Sequence, residues 1–104
     1  MAPSYLVQVE LRGTPPRETY DKLNALMSNL GFEQTIKGVY DETHIAVEAD
    51  LPHATYAGPS DIAATRITSY LAEQIRNAIQ PDIVLLVVRF DKWETYPAPR
   101  AAGR

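Results

Sequence analysis

Three side chains in the sequence have the chemistry for cleaving a phosphodiester: His44, His53 and Asp82. An imidazole titrates near neutral pH and can act as acid or base without a metal. Asp82 directly precedes the most apolar segment of the chain, and an acid at a strand end can hold magnesium. The alternative is that both histidines are solvated loop residues and that Asp82 completes a turn after Pro81. No residues have the spacing of a metal motif, so we predict no metal and no cofactor.

Two groups of basic residues are candidates for binding RNA phosphates, although the net charge of the chain is −3. The first group lies at the end of the first predicted strand and on the helix after it, and the second follows the last predicted strand. The groups are Arg12, Arg17 and Lys22, and then Arg89 and Lys92. If the two strands are neighbours, these residues could converge into a local phosphate-binding patch. The alternative is that they are ordinary solvated charges.

Composition limits the classes of protein that this chain can belong to. Its 104 residues, 45% of them hydrophobic, fit one globular domain, which we predict to span residues 1–96 with a flexible tail over residues 97–104. The absence of cysteine excludes disulfide frameworks, thiolate metal sites and cysteine nucleophiles. Neither a secretory signal pattern nor an apolar run of bilayer length is present, so we predict a soluble cytoplasmic protein with no membrane partner.

The first half of the chain predicts a strand followed by a helix. Apolar residues alternate with polar ones from Tyr5 to Arg12, which is the period of a half-buried strand. Thr14 has the chemistry of a helix cap, and Pro15–Leu30 carries an apolar stripe at three- and four-residue steps. Gly31 supplies the left-handed conformation that commonly ends a helix.

The rest of the chain predicts more strands and a second helix. Ser60 precedes that helix with cap chemistry, and Pro81 prevents its continuation. The six aliphatic residues after Asp82 are strongly β-branched, which favours a strand. The predicted elements are strands over Glu33–Val39 and Thr43–Ala49, a possible separate short strand over Ala54–Tyr56, a helix over Asp61–Ile79 and a strand over Ile83–Val88.

The order β-α-β-β-α-β predicts an α+β fold, a ferredoxin-like two-layer sandwich with an antiparallel sheet. The first and third strands are then central, and the last strand lies at an edge. An edge that is aliphatic on both faces needs a covering surface. We therefore predict a homodimer with Ile83, Leu85 and Val87 at the interface. The alternative is that the tail around Phe90 and Trp93 folds back over this strand.

Four segments of the chain are similar to the GhoS-like family, which contains the antitoxin endoribonuclease of type V toxin-antitoxin systems. They are Tyr5–Leu11, Tyr20–Met27, Gly31–Phe32 and Leu51–Tyr56. A related fold occurs in the Cas2 nucleases. The resemblance implies a ferredoxin-like protein that binds RNA and, in the characterised antitoxin of the family, cleaves the toxin transcript. We therefore expect single-stranded RNA as a partner.

Three functional hypotheses follow. The first is an RNA-binding protein or endoribonuclease, with His44 or His53 as acid or base. The second is a non-catalytic module that binds protein through its sheet surface and last strand, and the third is a dimer with a small-molecule pocket between sheets. Convergence of His44, His53 and Asp82 in one cleft would favour an enzyme, whereas dispersal would favour a binding module.

Overall fold

The computed structural model of the protein describes residues 2–39 and 44–102. Within these ranges the chain is α+β, with two helices and two small antiparallel sheets. Its elements are β1 (Ser4–Leu11), α1 (Arg17–Asn29), β2 (Thr35–Val39), β3 (Ala46–Asp50), β4 (Thr55–Pro59), α2 (Ala64–Ala78), β5 (Ile83–Phe90) and β6 (Arg100–Ala101). Thr43, which begins the predicted third strand, lies outside the described residues, as do the last two residues of the predicted tail.

The first sheet has the strand order β4-β1-β5, and both neighbours run antiparallel to β1. The alternation seen in the sequence places Tyr5, Val7, Val9 and Leu11 on one buried face of β1. Because β1 lies between its neighbours, β5 is at an edge, as predicted.

Both helices pack on that same face of the first sheet. Leu23 and Met27 of α1 are fully buried there, as is Leu71 of α2. The stripes predicted at three- and four-residue steps therefore form the helix layer of the main core. Alternate residues of β5 pack against this core from the sheet side: Ile83, Leu85 and Val87.

The first helix begins later than its apparent cap predicts. Thr14 does not cap α1; its backbone has a φ of +47°, and its hydroxyl donates a hydrogen bond of 2.8 Å to the Gly13 carbonyl. Pro16 occupies the cap position without a side-chain hydrogen bond. The helix ends as expected, with Gly31 at a φ of +92°.

The second helix also begins later, at Ala64 rather than Asp61. The hydroxyl of Ser60 accepts a hydrogen bond of 3.1 Å from the Ile62 amide, which forms a local turn instead of a cap. Neither helix in the described ranges is long and apolar enough to cross a membrane.

A second sheet, of order β2-β3-β6, extends from the first. An isolated bridge between Glu33 and Ala57 connects the segment before β2 to β4. The region predicted as one strand or two contains both β3 and β4. Within the predicted tail, Arg100–Ala101 forms β6, and the Arg100 guanidinium donates a hydrogen bond of 3.0 Å to the Asp50 carboxylate.

A second hydrophobic cluster lies on the face of the first sheet that carries no helix. Ile36 and Ala49 from the second sheet meet Ala57 there, and Leu6 packs against them from the outer face of β1. Phe90 and Trp93 join this cluster, so the segment after β5 packs on the second sheet as well as the first. Three aliphatic residues on the outer face of β5 stay exposed: Val84, Leu86 and Val88.

Candidate functional site

Four of the candidate site residues lie at one end of the first sheet, which we call the His53 end: Arg12, Arg17, His53 and Asp82. Antiparallel pairing explains this placement, because β1 ends where β4 and β5 begin. Leu11 pairs with Ile83, and Gln8 pairs with Thr55. The chain leaving β1 turns there into α1, and so the first residue of that helix, Arg17, lies at the same end.

Backbone contacts fix the position of Asp82 at the His53 end. The Arg12 amide donates a hydrogen bond of 3.2 Å to the Asp82 carbonyl. The Gln80 side-chain amide donates to the carbonyls of both Arg12 and Asp82, each at 2.9 Å. Asp82 therefore joins the end of β1 to the start of β5 through its backbone, and its side chain is exposed.

An aromatic pair occupies the other side of this end. The rings of Tyr20 on α1 and His53 lie 4.5 Å apart between centroids, with 55° between their planes. This tilted arrangement is one that aromatic pairs favour. Arg17 precedes Tyr20 by one helical turn, so a cation and two rings share this part of the surface.

Tyr56 is fully buried on β4, and its hydroxyl donates a hydrogen bond of 2.6 Å to the Asn24 side-chain oxygen on α1. Burial raises the pKa of Tyr56 to about 12, and the ionised form of Tyr20 would raise it in the same direction. The Tyr56 phenol is therefore neutral at physiological pH and is available as a donor to Asn24.

His53 and Asp82 do not form an acid–base pair. They precede β4 and β5, which lie on opposite sides of β1. Two strand spacings, about 10 Å, separate their backbones across the sheet.

The other candidate histidine lies elsewhere. His44 is exposed and lies just before β3, with a φ of +56°. The five residues of β3, about 16 Å of extended chain, separate His44 from the segment that holds His53. Within residues 2–39 and 44–102, no group of three or more His, Asp or Glu side chains could hold a metal ion.

The basic residues do not converge, although the strands concerned are neighbours as expected. Arg89 pairs with Tyr5 near the start of β1, whereas Arg12 follows the end of β1. Because the two strands are antiparallel, the part of β5 from Ile83 to Arg89, about 20 Å long, separates the two basic groups. Lys92 follows Arg89, and Lys22 is exposed in the middle of α1.

Local acids also reduce the positive potential at the His53 end. The Arg12 guanidinium lies 3.5 Å from the Glu10 carboxylate in an exposed ion pair. Such a pair contributes little to stability, but it partly neutralises one of the predicted phosphate contacts. Arg17 is followed directly by Glu18 in the first turn of α1.

The exposed face of β5 is different in chemistry from the His53 end. Ile83, Leu85 and Val87, which the sequence suggested for a dimer contact, point toward the helices. The alternate residues are accessible instead: Val84 is 40% exposed, Leu86 54% and Val88 41%. Residues 83–88 are aliphatic on both faces, so no sequence pattern distinguishes the face that meets the helices from the face that stays exposed. Only the register with β1 decides which face receives the helices.

The outward row of β5 continues across the sheet onto β1. Val84 pairs with Glu10, Leu86 with Gln8, and Val88 with Leu6. Directly paired residues of antiparallel strands share a face. The result is a three-residue aliphatic strip at the sheet edge, with two polar side chains beside it.

A solvent-open groove lies between the β2–β3 hairpin and the segment after β5. Its lining residues include Val39, Val47 and Trp93, together with the charged Asp91 and Lys92. The Trp93 indole packs on the hairpin, and its N–H donates a hydrogen bond of 3.1 Å to the Lys37 carbonyl. The groove lies along the second sheet and does not include the His53 end.

Comparison with family models and with curated proteins finds no match to this chain. The similarity to the GhoS-like family therefore stays a prediction based on the four segments that carry it.

Proposed function

We propose that this chain is a non-catalytic interaction module that binds protein by strand addition along β5. One observation supports this function above the others: β5 is an edge strand whose accessible face consists of Val84, Leu86 and Val88. An edge strand offers unpaired backbone groups to another strand, and natural proteins usually protect such edges with charge, proline or a bulge. From Ile83 to Val88, β5 contains no charged residue and no proline.

The proposed architecture is ferredoxin-like. In its support, β1 lies between β4 and β5, all neighbours are antiparallel, and both helices cover one face. The bridge from Glu33 to Ala57 adds a fourth chain segment beside β4. In this description the β2–β3 hairpin and β6 are additions that cover part of the helix-free face.

The dispersal of the three candidate catalytic groups supports a binding function over an enzymatic one. His44 lies before β3 of the second sheet, and β1 separates His53 from Asp82. General acid–base catalysis needs both groups within hydrogen-bond reach of the reacting atoms. A protein surface built on β5 needs no such convergence.

Site-specific photocrosslinking tests the proposed module. A photoreactive phenylalanine analogue replaces Leu86 in the full chain, and the cells that express it are irradiated. We expect a covalent adduct with a protein, which mass spectrometry localises to β5. The matched control places the same analogue at Glu73, which is exposed on α2.

Two results would contradict the proposed module. One is the absence of any protein adduct at Leu86. The other is an equal yield at Leu86 and Glu73, because that would indicate random collision rather than a docking surface.

A second candidate function is RNA binding, with or without cleavage, as the GhoS-like resemblance implies. One observation favours it: the ring pair of Tyr20 and His53 lies at the same end of the sheet as Arg12 and Arg17. Proteins that bind single-stranded nucleic acid combine aromatic stacking surfaces with basic side chains along the backbone path. This function also requires a cytoplasmic location, which cell fractionation would test.

Titration with a fluorescent oligouridine at low salt distinguishes the second candidate. RNA binding at the His53 end predicts weaker affinity for Arg17→Ala and His53→Ala, by about fivefold or more for the lost stacking surface. Lys92→Ala, at the opposite end, is the matched control. If the wild-type chain does not bind the oligomer, or if all three variants bind it as the wild type does, this candidate is wrong.

A further inference from the structure

The outward row of β5 is symmetric about Leu86. A valine lies two residues before it and another two residues after it, and all three point to the same exposed face. Reversing the direction of the strand about Leu86 therefore reproduces the same order of exposed side chains. Such self-complementarity is what a two-fold interface requires, since the same surface must meet itself.

Only certain registers keep the layers of two such chains together. With a two-fold axis perpendicular to the sheet, the helices of both copies lie on the same side. Each residue on the helix side of β5 must then pair with a residue on the helix side of the other β5. Centring the axis on Leu86 satisfies this condition and pairs Val84 with Val88 of the second copy. Centring it on Leu85 instead would place Val88 opposite Asp82, which removes an aliphatic contact and buries a carboxylate beside it.

We propose that the occupant of the β5 edge is a second copy of this chain, paired antiparallel with the two-fold axis at Leu86. The inference rests on the proposed function and names its partner. Pairing of this kind produces one continuous sheet of six strands, in the order β4-β1-β5-β5-β1-β4. The helices of both copies then cover the same face.

The chemistry of the neighbouring rows fits this partner. At the centre, Leu86 meets Leu86, with Gln8 on either side of the pair. On each side of that row, Leu6 and Val88 of one copy align with Val84 and Glu10 of the other. Glu10 therefore lies at the outside of its row, and that row contains no second Glu10, so no like charges oppose each other.

The helix face of β5 fits the same register. Leu85 pairs with Val87 of the second copy, and Ile83 pairs with Arg89. The aliphatic pairs extend the core of each protomer across the axis. The guanidinium of Arg89 is exposed and can stay solvated at the end of the paired segment.

Cysteine cross-linking tests this register, because the chain contains no cysteine of its own. Directly opposed residues of an antiparallel pair have Cα atoms about 4.5–5.5 Å apart, which suits a disulfide. We expect Leu86→Cys to form a disulfide-linked dimer under mild oxidation. The Val84→Cys, Val88→Cys double variant should also cross-link.

Two single variants are controls that distinguish the proposed register from chance collision. In Val84→Cys, the two sulfur-bearing residues lie four positions out of register, about 13 Å apart, and no cross-link is expected. Gln8→Cys lies on the same exposed face but one strand inside, so its two copies are about 14 Å apart and should also stay unlinked.

Sedimentation of the uncross-linked chain completes the test. We expect a dimer that Leu86→Lys converts to a folded monomer, with unchanged circular dichroism. A monomer at all concentrations, or cross-linking of Val84→Cys as efficient as that of Leu86→Cys, would overturn the proposed pairing. An adduct between the Leu86 photoprobe and a different protein would also overturn the proposed pairing, but it would leave the proposed function intact. The absence of any adduct would contradict both the pairing and the function.

Discussion

The hydroxyl of Tyr56 on β4 and the side-chain oxygen of Asn24 on α1 form a hydrogen bond of 2.6 Å beneath the surface of the protein. This contact fixes α1 on the sheet at a defined position along its length. The ring of Tyr20, one turn earlier in the helix, meets His53 at the surface. The same face of α1 thus supplies a structural hydrogen bond and half of the exposed aromatic pair.

Replacing Tyr56 with phenylalanine should lower the free energy of unfolding by about 1 kcal/mol, because the Asn24 oxygen loses its donor in a largely apolar setting. Urea denaturation would measure the loss. Tyr70→Phe is the matched control, since Tyr70 is 37% exposed on α2 and should change stability by less than about 0.5 kcal/mol. Equal effects of the two variants would contradict a role for the hydrogen bond.

The raised pKa of Tyr56 predicts a stability loss at alkaline pH. Its folded-state value of about 12 lies above the ordinary value of 10.0, so the unfolded chain releases the phenolic proton first. The contribution of the neutral Tyr56 phenol to the free energy of unfolding is fully present below pH 10 and is lost as the pH rises toward 12. Unfolding measured across this interval should show a shallower decline for Tyr56→Phe than for the wild type. Identical slopes would show that Tyr56 ionises as easily in the folded protein as in the unfolded chain.

Two glycines in strands should differ in their tolerance of alanine. A Cβ at Gly58 would clash with the backbone oxygen of Gly31, and this backbone cannot move without displacing the end of α1. We expect Gly58→Ala to cost about 2 kcal/mol or more. In Gly38→Ala the obstacle is the Trp93 side chain, 3.0 Å away, which can shift by itself.

Thermal unfolding and tryptophan fluorescence would separate these two glycine variants. Gly38→Ala should alter the emission of Trp93, the only tryptophan in the chain, with a smaller loss of stability. Gly58→Ala should lower the stability more strongly and leave the emission of Trp93 unchanged. A larger stability loss for Gly38→Ala would contradict the close approach of β4 to the end of α1.

A matched pair of leucines separates folding from association. Leu71 is fully buried, so Leu71→Ala should cost about 2–5 kcal/mol of protomer stability. Leu86 is 54% exposed, so Leu86→Ala should change the stability of the protomer by less than about 0.5 kcal/mol. Denaturation at low protein concentration, where association is minimal, would measure both. A large loss for Leu86→Ala under those conditions would place Leu86 in the protomer core.

Local signals in the sequence predicted the main elements of the fold but not where its helices begin. The alternation in β1 and the apolar stripes of both helices identified the buried faces, because the spacing of residues along a strand or helix determines which of them share a face. Thr14 and Ser60 have the chemistry of helix caps, yet each forms a hydrogen bond within its own turn. A hydroxyl can satisfy either arrangement, and the neighbouring prolines and the packing of the chain decide between them.

The candidate site was predicted less well, because it depends on strand direction and register. Arg12 follows β1 and Arg89 lies on the neighbouring strand β5, as expected, but antiparallel pairing places the two residues at opposite ends of the sheet. His53 gained an aromatic neighbour in Tyr20, 33 residues away in sequence, which no local pattern could indicate.

The sequence by itself determined that Ile83–Val88 forms a strand segment without polar residues on either face, since six mostly β-branched aliphatic side chains in succession favour a strand. Only the tertiary structure decided that Leu85 enters the core while Leu86 faces solvent. The physical reason is that both faces of such a strand have the same affinity for an apolar layer. The helices can cover just one of them, and pairing with β1 determines which.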